Sequence, residues 1–414
     1  MSLDFESTTD WSPTDWTAIG EDSLDDAITL RRAIHADPEV GLHCPRTSDK
    51  VKAALAGLPL EIREGTSTTG FVAILRGGRA GNAGGNGRTV LLRGDMDALP
   101  MQEETGLPFA SKIDGAMHAC GHDSHTAMLV GAAKALCARR EDLPGTVVFM
   151  FQPGEEGHHG ARHMIADGLL DSPLPEAGFA LHISPNMPMG HVVSRAGTLM
   201  ASTDTLRATI TGRGGHAAMP HDCLDPLPIA CEIVTALQTY VARQVAVTDP
   251  AVLSITKLNA GSAHNVIPST VEMLGTMRTL SERTREQVRA AFIRMVEGIA
   301  AAHGAVGTPT IEEGYPVTVN DERATDLMKA CATAIGGEGA YQVMPPMMGA
   351  EDFSYVLQKL PGAMAFIGAA PEGSDPRTNP PLHNTKMTID ERVMAHGIAM
   401  HCTVAERFLA NGFD

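Results

Sequence analysis

The sequence predicts an α/β protein in which a larger domain, built on a mixed, largely parallel sheet, is interrupted by a smaller α+β domain. Three observations predict it. The 414 residues exceed what a single hydrophobic core usually organises. Thr146 to Phe151 is an unbroken apolar run, the pattern of a strand buried on both faces of a parallel sheet. Between Thr203 and Glu312 the elements follow the order β-α-β-β-α-β, the mark of a two-layer unit with an antiparallel sheet and two helices on one face.

Residues 1 to about 22 are acidic and read as a loosely ordered lead-in, with neither the basic segment nor the apolar core of a secretion signal. From Ser23 to Ala36 the apolar residues Leu24, Ile28, Leu30 and Ile34 recur at roughly helical spacing, and Asp37-Pro38 stops that helix. Ser48 is the expected N-cap of a second helix reaching Leu58. Gly70–Arg76 and Thr89–Gly94 are β-type runs, and the glycine-rich stretch Gly77–Gly87 between them predicts a flexible hairpin tip. It is not a phosphate loop, because no helix with a Lys-Ser/Thr start follows it. Asp123–Arg140 reads as an Ala-, Leu- and Met-rich helix.

Near Gly197 the character changes: Thr203–Gly212 alternates as a half-buried strand, and Asp225–Gln244 is helical. Ala251–Leu258 and Thr270–Leu280 are strands, Arg283–His303 is a strongly periodic helix, and Val306–Glu312 is a final strand. From about Tyr315 the α/β character returns, which predicts a division into residues 1–197, an inserted domain 198–313, and residues 314–414.

Composition excludes several functions. The net charge is −17 and no Lys/Arg run is present, so a polyanion would be repelled. Aromatic residues make up only 4%, too few for stacked-base recognition, so no nucleic-acid partner is expected. No stretch is long and apolar enough to span a bilayer. The 7 cysteines are scattered and odd in number, which fits a reducing compartment and a cytoplasmic location.

Four motifs carry chemistry. The densest is Met117-His118-Ala119-Cys120-Gly121-His122-Asp123-Ser124-His125, which follows Arg93-Gly94-Asp95-Met96-Asp97. Cysteine and histidine two residues apart in a glycine turn can converge on one first-row divalent metal. Taken alone, the cluster fits equally a core cysteine flanked by helix-cap histidines. The second motif is Gln152-Pro153-Gly154-Glu155-Glu156-Gly157, at the C-terminal end of the buried strand, where ligands bind in open α/β sheets. Of two adjacent carboxylates there, one can bind metal while the other acts as a general base. Leu181-His182 and Leu382-His383-Asn384 complete the set.

With these motifs the chain, from about Ile34 to Phe408, resembles the M20 metallopeptidase family. It is most similar to the aminoacylase-like amidohydrolases, the subgroup of hippurate hydrolases, indole-acetyl-amino-acid hydrolases and N-acetyldiaminopimelate deacetylases. Further segments carrying the resemblance are Gly214-Gly215-His216-Ala217-Ala218, His264-Asn265-Val266-Ile267-Pro268, Met277-Arg278-Thr279 and Gly349-Ala350-Glu351-Asp352-Phe353.

The resemblance implies a catalytic α/β domain carrying a lid domain. It implies Cys120, His122, Glu156, His182 and His383 as ligands of two divalent metal ions, zinc or manganese before cobalt or nickel, with Glu155 as general base. It further implies His216 at the oxyanion, reaching a neighbouring subunit's site in related dimers, and Asn265 and Arg278 at the substrate carboxylate. Glu351 is a further substrate-binding candidate, lining the pocket or orienting a ligand. Many family members have a histidine where Arg93 stands, so metal identity does not transfer from the zinc aminopeptidase branch.

The function expected is hydrolysis of the amide bond of small N-acyl amino acids by a metal-activated water, in a homo-oligomer formed through the lid. Dipeptide or carbamoyl-amide cleavage is the alternative within the family. A binding protein with a degenerate site is the remote one, since all five ligands and Glu155 are present.

Overall fold

The computed structural model describes residues 14–80 and 87–414. Three helices come first: α1 (Trp16–Asp22), α2 (Leu24–His35) and α3 (Pro45–Leu55). The lead-in is therefore helical from Trp16, which is buried and donates from Nε1 to Glu406 at 2.9 Å. Its first 13 residues lie outside the described residues. Helix α3 begins at Pro45, not after Ser48, because proline suits the first helical position, where an amide hydrogen has no partner to lose. Ser48 lies inside the helix and its hydroxyl bonds Thr69 O at 3.3 Å.

The larger unit continues with β1 (Glu61–Glu64), β2 (Phe71–Arg76), β3 (Thr89–Asp95), α4 (His122–Ala138), β4 (Thr146–Gln152), α5 (Gly160–Ala166), β5 (Ala177–Ser184), β6 (Val192–Ser194) and β7 (Gly197–Met200). The smaller unit holds β8 (Ser202–Thr211), β9 (Gly215–His216), α6 (Pro226–Gln244), β10 (Ala251–Ala260), β11 (Val266–Ile267), β12 (Thr270–Thr279), α7 (Glu282–Ala302) and β13 (Val306–Glu313). The chain returns through β14 (Thr318–Asn320), α8 (Glu322–Gly336), β15 (Tyr341–Val343), α9 (Ser354–Leu357), β16 (Gly362–Gly368) and α10 (Val393–Asn411).

The main sheet has eight strands in the order β1-β2-β4-β3-β5-β16-β6-β15. Its centre, β4-β3-β5-β16, is parallel, and antiparallel pairs flank it. Strands β3, β4, β5 and β16 are buried along their whole length, as helices on both faces require. One expectation fails here. Strands β2 and β3 do not form a hairpin, because β4 lies between them, antiparallel to β2 and parallel to β3. The glycine-rich stretch is thus a crossing connection; Gly77 N bonds Gly145 O at 2.9 Å, and residues 81–86 lie outside the described residues.

The smaller unit is a four-stranded antiparallel sheet in the order β10-β12-β8-β13, with α6 and α7 packed on one face. Its own core includes Leu206, Ile210, Ile233, Leu237, Val271 and Phe292. Asp225 caps α6 by accepting from Leu227 N at 3.0 Å, and Ser281 caps α7 by accepting from Thr284 N at 3.1 Å. The two chain crossings between the units lie side by side: Thr203 N donates to Tyr315 O at 2.9 Å. Asp204, fully buried beside them, pairs with Arg285 at 2.8 Å and accepts from Gly314 N at 3.1 Å.

Candidate active site

Three parallel strands deliver the polar residues to one end of the sheet. Asp95 ends β3, Gln152 ends β4 in register with it, and His182 lies near the end of β5. Helix α4 starts against that edge, and Gly121 makes its entry possible. Its φ is +84°, and a Cβ there would stand 2.4 Å from Ile183 Cγ1. Only glycine combines the left-handed turn with that approach. Cys120 and His122 are thereby pointed into the same buried space. His383 enters from the loop before α10, also with a positive φ, +64°, a strained state for a residue with a side chain.

The five side chains expected to bind metal do converge. Cys120, His122 and His182 form one group of ligand atoms lying within 4.8 Å of one another, and Cys120, Glu156 and His383 form a second. His182 Nε2 and His383 Nε2 lie 3.4 and 3.3 Å from Cys120 Sγ, and His383 Nε2 lies 3.1 Å from Glu156 Oε1. The histidine tautomers follow from their other nitrogens. His182 Nδ1 faces Ile183 O at 2.7 Å and His122 Nδ1 faces Asp97 O at 2.9 Å. A carbonyl only accepts, so both Nδ1 atoms carry a proton, and in the neutral ring each Nε2 lone pair faces inward. His122 Nε2 is buried without a hydrogen-bond partner among the described residues. An orphaned ring nitrogen aimed into a thiol-imidazole-carboxylate cluster fits a divalent cation.

Charge points the same way. Asp95, Asp97, Glu155, Glu351 and Asp352 are all buried, with Arg93 the buried cation among them. Arg93 is 1% exposed and donates to Gln152 Oε1 at 2.9 Å, Asp95 at 2.6 Å, Glu351 at 2.9 Å and Asp352 at 3.1 Å. Burial, and then the carboxylates of Glu351, Glu156 and Asp352, push Glu155 well above the usual carboxylate range. Burial opposes charge on His122, but Asp95 and Cys120 outweigh it and raise its pKa well above normal. Hydrogen bonds to Cys120 and Glu156 raise His383 to about 10. The cluster is short of positive charge, and bound cations remove that deficit.

Glu155 and Glu156 are held by their backbone: their amides donate to Asp97 Oδ1 at 2.9 Å and Oδ2 at 3.0 Å. Glu155 Oε2 lies 3.9 Å from His122 Nε2. Glu351 is 2% exposed, and its carboxylate is taken up by Arg93 and Phe353 N, beneath Glu155. The remaining three candidates lie on the smaller unit. His216 and Asn265 are exposed around the short β9·β11 pair, where Ala217 N bonds Asn265 O at 3.1 Å. Arg278 is half-buried near the end of β12 and donates to Thr276 Oγ1 at 2.6 Å. None of the three is bonded to the metal-ligand cluster.

Sequence reasoning missed the supports. Asp95 bonds His125 Nδ1 at 2.6 Å, whose Nε2 accepts from Ile183 N at 2.8 Å, so His125 is fully engaged. Asp123 takes Arg31 at 2.9 Å and His35 at 2.8 Å. The one available signal was acidic residues at two-residue spacing, Asp95 and Asp97, at a buried strand end.

The sequence pattern of peptidase family M20/M25/M40 matches residues 91–407. The chain belongs to that family. It is accordingly a metal-dependent hydrolase of amide or peptide bonds. Thermostable carboxypeptidase 1 of Saccharolobus solfataricus is 37% identical over 389 residues, 92% of this chain and 95% of its own length. IAA-amino acid hydrolase ILR1-like 4 of Arabidopsis thaliana is 36% identical over 392 residues, 94% of this chain and 87% of its own. A crystal structure of a dinuclear metal binding peptidase of the M20 family from Bacillus subtilis superposes with a TM-score of 0.79 at 33% identity, covering 94% of this chain and 99% of that one. A dinuclear site in a family member agrees with two overlapping ligand groups that share Cys120.

Proposed function

We propose that this M20 chain hydrolyses N-acyl amino acids to a carboxylic acid and a free amino acid. The observation that carries the reading is the pair of ligand groups sharing Cys120, with Glu155 beside them. Cys120, His122, Glu156, His182 and His383 hold two divalent ions, zinc or manganese by their donor set, with cobalt or nickel also suited. When bound, such ions supply Lewis acidity at the scissile carbonyl and acidify water. Glu155 takes the proton of the attacking water and delivers it to the leaving amine. Its raised proton affinity suits the return step. Glu351 serves through Arg93 and Glu155, given its burial, and not by touching substrate.

Residues 198–313 act as the lid, with Arg278 and Asn265 holding the substrate's free carboxylate and His216 the oxyanion. A guanidinium pairs with a carboxylate through two parallel hydrogen bonds, which suits Arg278 to that role. His216 and Asn265 are exposed and make no hydrogen bond to the cluster, which favours their use in a neighbouring copy's site, in a homodimer formed through the lid. One of the two relatives is named a carboxypeptidase and the other an IAA-amino acid hydrolase, and both names suit a substrate that ends in an amino acid. Peptide cleavage from the C-terminus is therefore the second reading. All seven cysteines are free thiols, in keeping with a cytoplasmic location.

A panel of acetyl, benzoyl, long-chain and indole-acetyl amino acids tests the function. It is run beside dipeptides and carbamoyl amides in added manganese, zinc or cobalt. Turnover concentrated on the acylated amino acids is expected; turnover confined to dipeptides or carbamoyl amides refutes the reading.

A further inference from the structure

Glu155 is gripped at both ends of its backbone. Its amide donates to Asp97 Oδ1 at 2.9 Å, within the metal-ligand neighbourhood. Its carbonyl accepts from the hydroxyl of Tyr315. Tyr315 stands two residues past the last strand of the smaller unit and is 5% exposed. Burial, and then the charges of Asp352 and Glu155, push its pKa upward, so the hydroxyl stays protonated and remains a donor.

The same residue lies at the chain crossing between the two units. Its carbonyl accepts from Thr203 N at 2.9 Å, at the start of the other chain crossing. Arg285, from the first turns of α7, bonds the neighbouring Gly314 O at 3.1 Å. The ring is seated edge-on against His159, 4.9 Å between centroids, and His159 adopts a left-handed backbone with φ +59°. His159 Nδ1 donates to Tyr355 OH at 2.9 Å, and Tyr355 donates in turn to Gly314 O at 3.2 Å. His159, which matches no sequence motif, thus sits between that crossing and the Glu155 loop.

We infer that Tyr315 is a positioning residue: from the chain crossing at Thr203 and Tyr315 it holds the backbone of Glu155 and so places the base. A buried phenol with two side-chain torsions holds its partner with little slack, and a small misplacement of a catalytic group is costly. The inference rests on the proposed role of Glu155 as general base.

Tyr315→Phe removes the hydroxyl and keeps the ring. Glu155 O retains its bond from Gly157 N at 2.8 Å, so the variant leaves no orphaned carbonyl and should fold. The experiment is a double-mutant cycle on the metal-saturated enzyme, with kcat, KM and metal content measured for Tyr315→Phe, Glu155→Gln and the pair. A displaced base costs on the order of 10- to 100-fold in rate. Tyr315→Phe should therefore lose about that much kcat at unchanged metal content, and should lose less than about 2-fold in the Glu155→Gln background, where no base remains to be placed. Equal losses in both backgrounds, or no loss in either, overturn the inference. Full activity in Glu155→Gln alone overturns the base assignment and this inference with it. Should Tyr315→Phe fail to fold, Tyr355→Phe loosens the same seat; the identical background dependence is required of it, and its absence is equally fatal.

Discussion

Replacing Arg93 by Met should destabilise the protein by about 3–5 kcal/mol at pH 8, the usual penalty for removing one partner from a buried ionic network. Arg93 makes four hydrogen bonds, three of them to the carboxylates of Asp95, Glu351 and Asp352 and one to Gln152. Hydrogen bonds to charged groups contribute about 1.5–3 kcal/mol each, so four would exceed the penalty quoted. Two effects reduce it: the abandoned carboxyls can take up protons, and the methionine packs where the guanidinium stem lay.

The first effect gives the variant a pH signature. Burial, reinforced by Glu351 and opposed by Arg93, already raises Asp352 to about 8, and Glu351 is raised as well. A carboxyl with a folded pKa above its unfolded value favours the fold while protonated. That contribution is present below the unfolded pKa and is lost as pH rises through the folded one. Without Arg93 both carboxyls rise further, so the variant's deficit should be larger at pH 8 than at pH 5. Urea unfolding of both proteins in chelator, followed by circular dichroism at the two pH values, measures it. A deficit below about 1 kcal/mol, or one equal at both pH values, would refute the view that Arg93 neutralises this cluster.

Gly121→Ala combines a left-handed backbone penalty with the contact against Ile183 Cγ1, and should lower stability by about 2–4 kcal/mol and reduce metal content; unfolding curves and elemental analysis check both. Glu155→Gln should keep its metal and lose about 10²–10⁴-fold in kcat, while Glu156→Gln should lose metal; exchanged phenotypes would reverse the two roles. Arg278→Ala should weaken turnover of free-acid substrates by roughly 2–5 kcal/mol and barely affect amide- or ester-capped ones, and equal losses on both would remove Arg278 from the substrate.

What the sequence disclosed divides by the range of the interactions involved. Strands β4, β8 and β12 and helices α2, α6 and α7 were legible because hydrophobic periodicity is a local signal. The pairing of β2 with β4 was not, because strand neighbours are chosen by the whole sheet and not by the turn between them. The five candidate ligands were named through the family's motifs, and the structure brings those side chains near one another in two groups that share Cys120. The burial of Glu351 beneath Arg93 was invisible, since those residues are 258 positions apart and nothing local announces the contact. The grip of Tyr315 on Glu155 was hidden for the same reason, with 160 positions between them.

The place of β16 between β5 and β6 has a consequence for synthesis. As the polypeptide leaves the ribosome, β5 and β6 are complete long before β16, and the entire smaller unit is made in between. At roughly 5–20 residues per second, one edge of β5 stays without its final neighbour for on the order of ten seconds or more. An unpaired, mostly apolar strand edge is an aggregation hazard, so the nascent chain should depend on a holding chaperone during that interval. His383 emerges later still, so the proposed ligand set is completed only after β16 has been made.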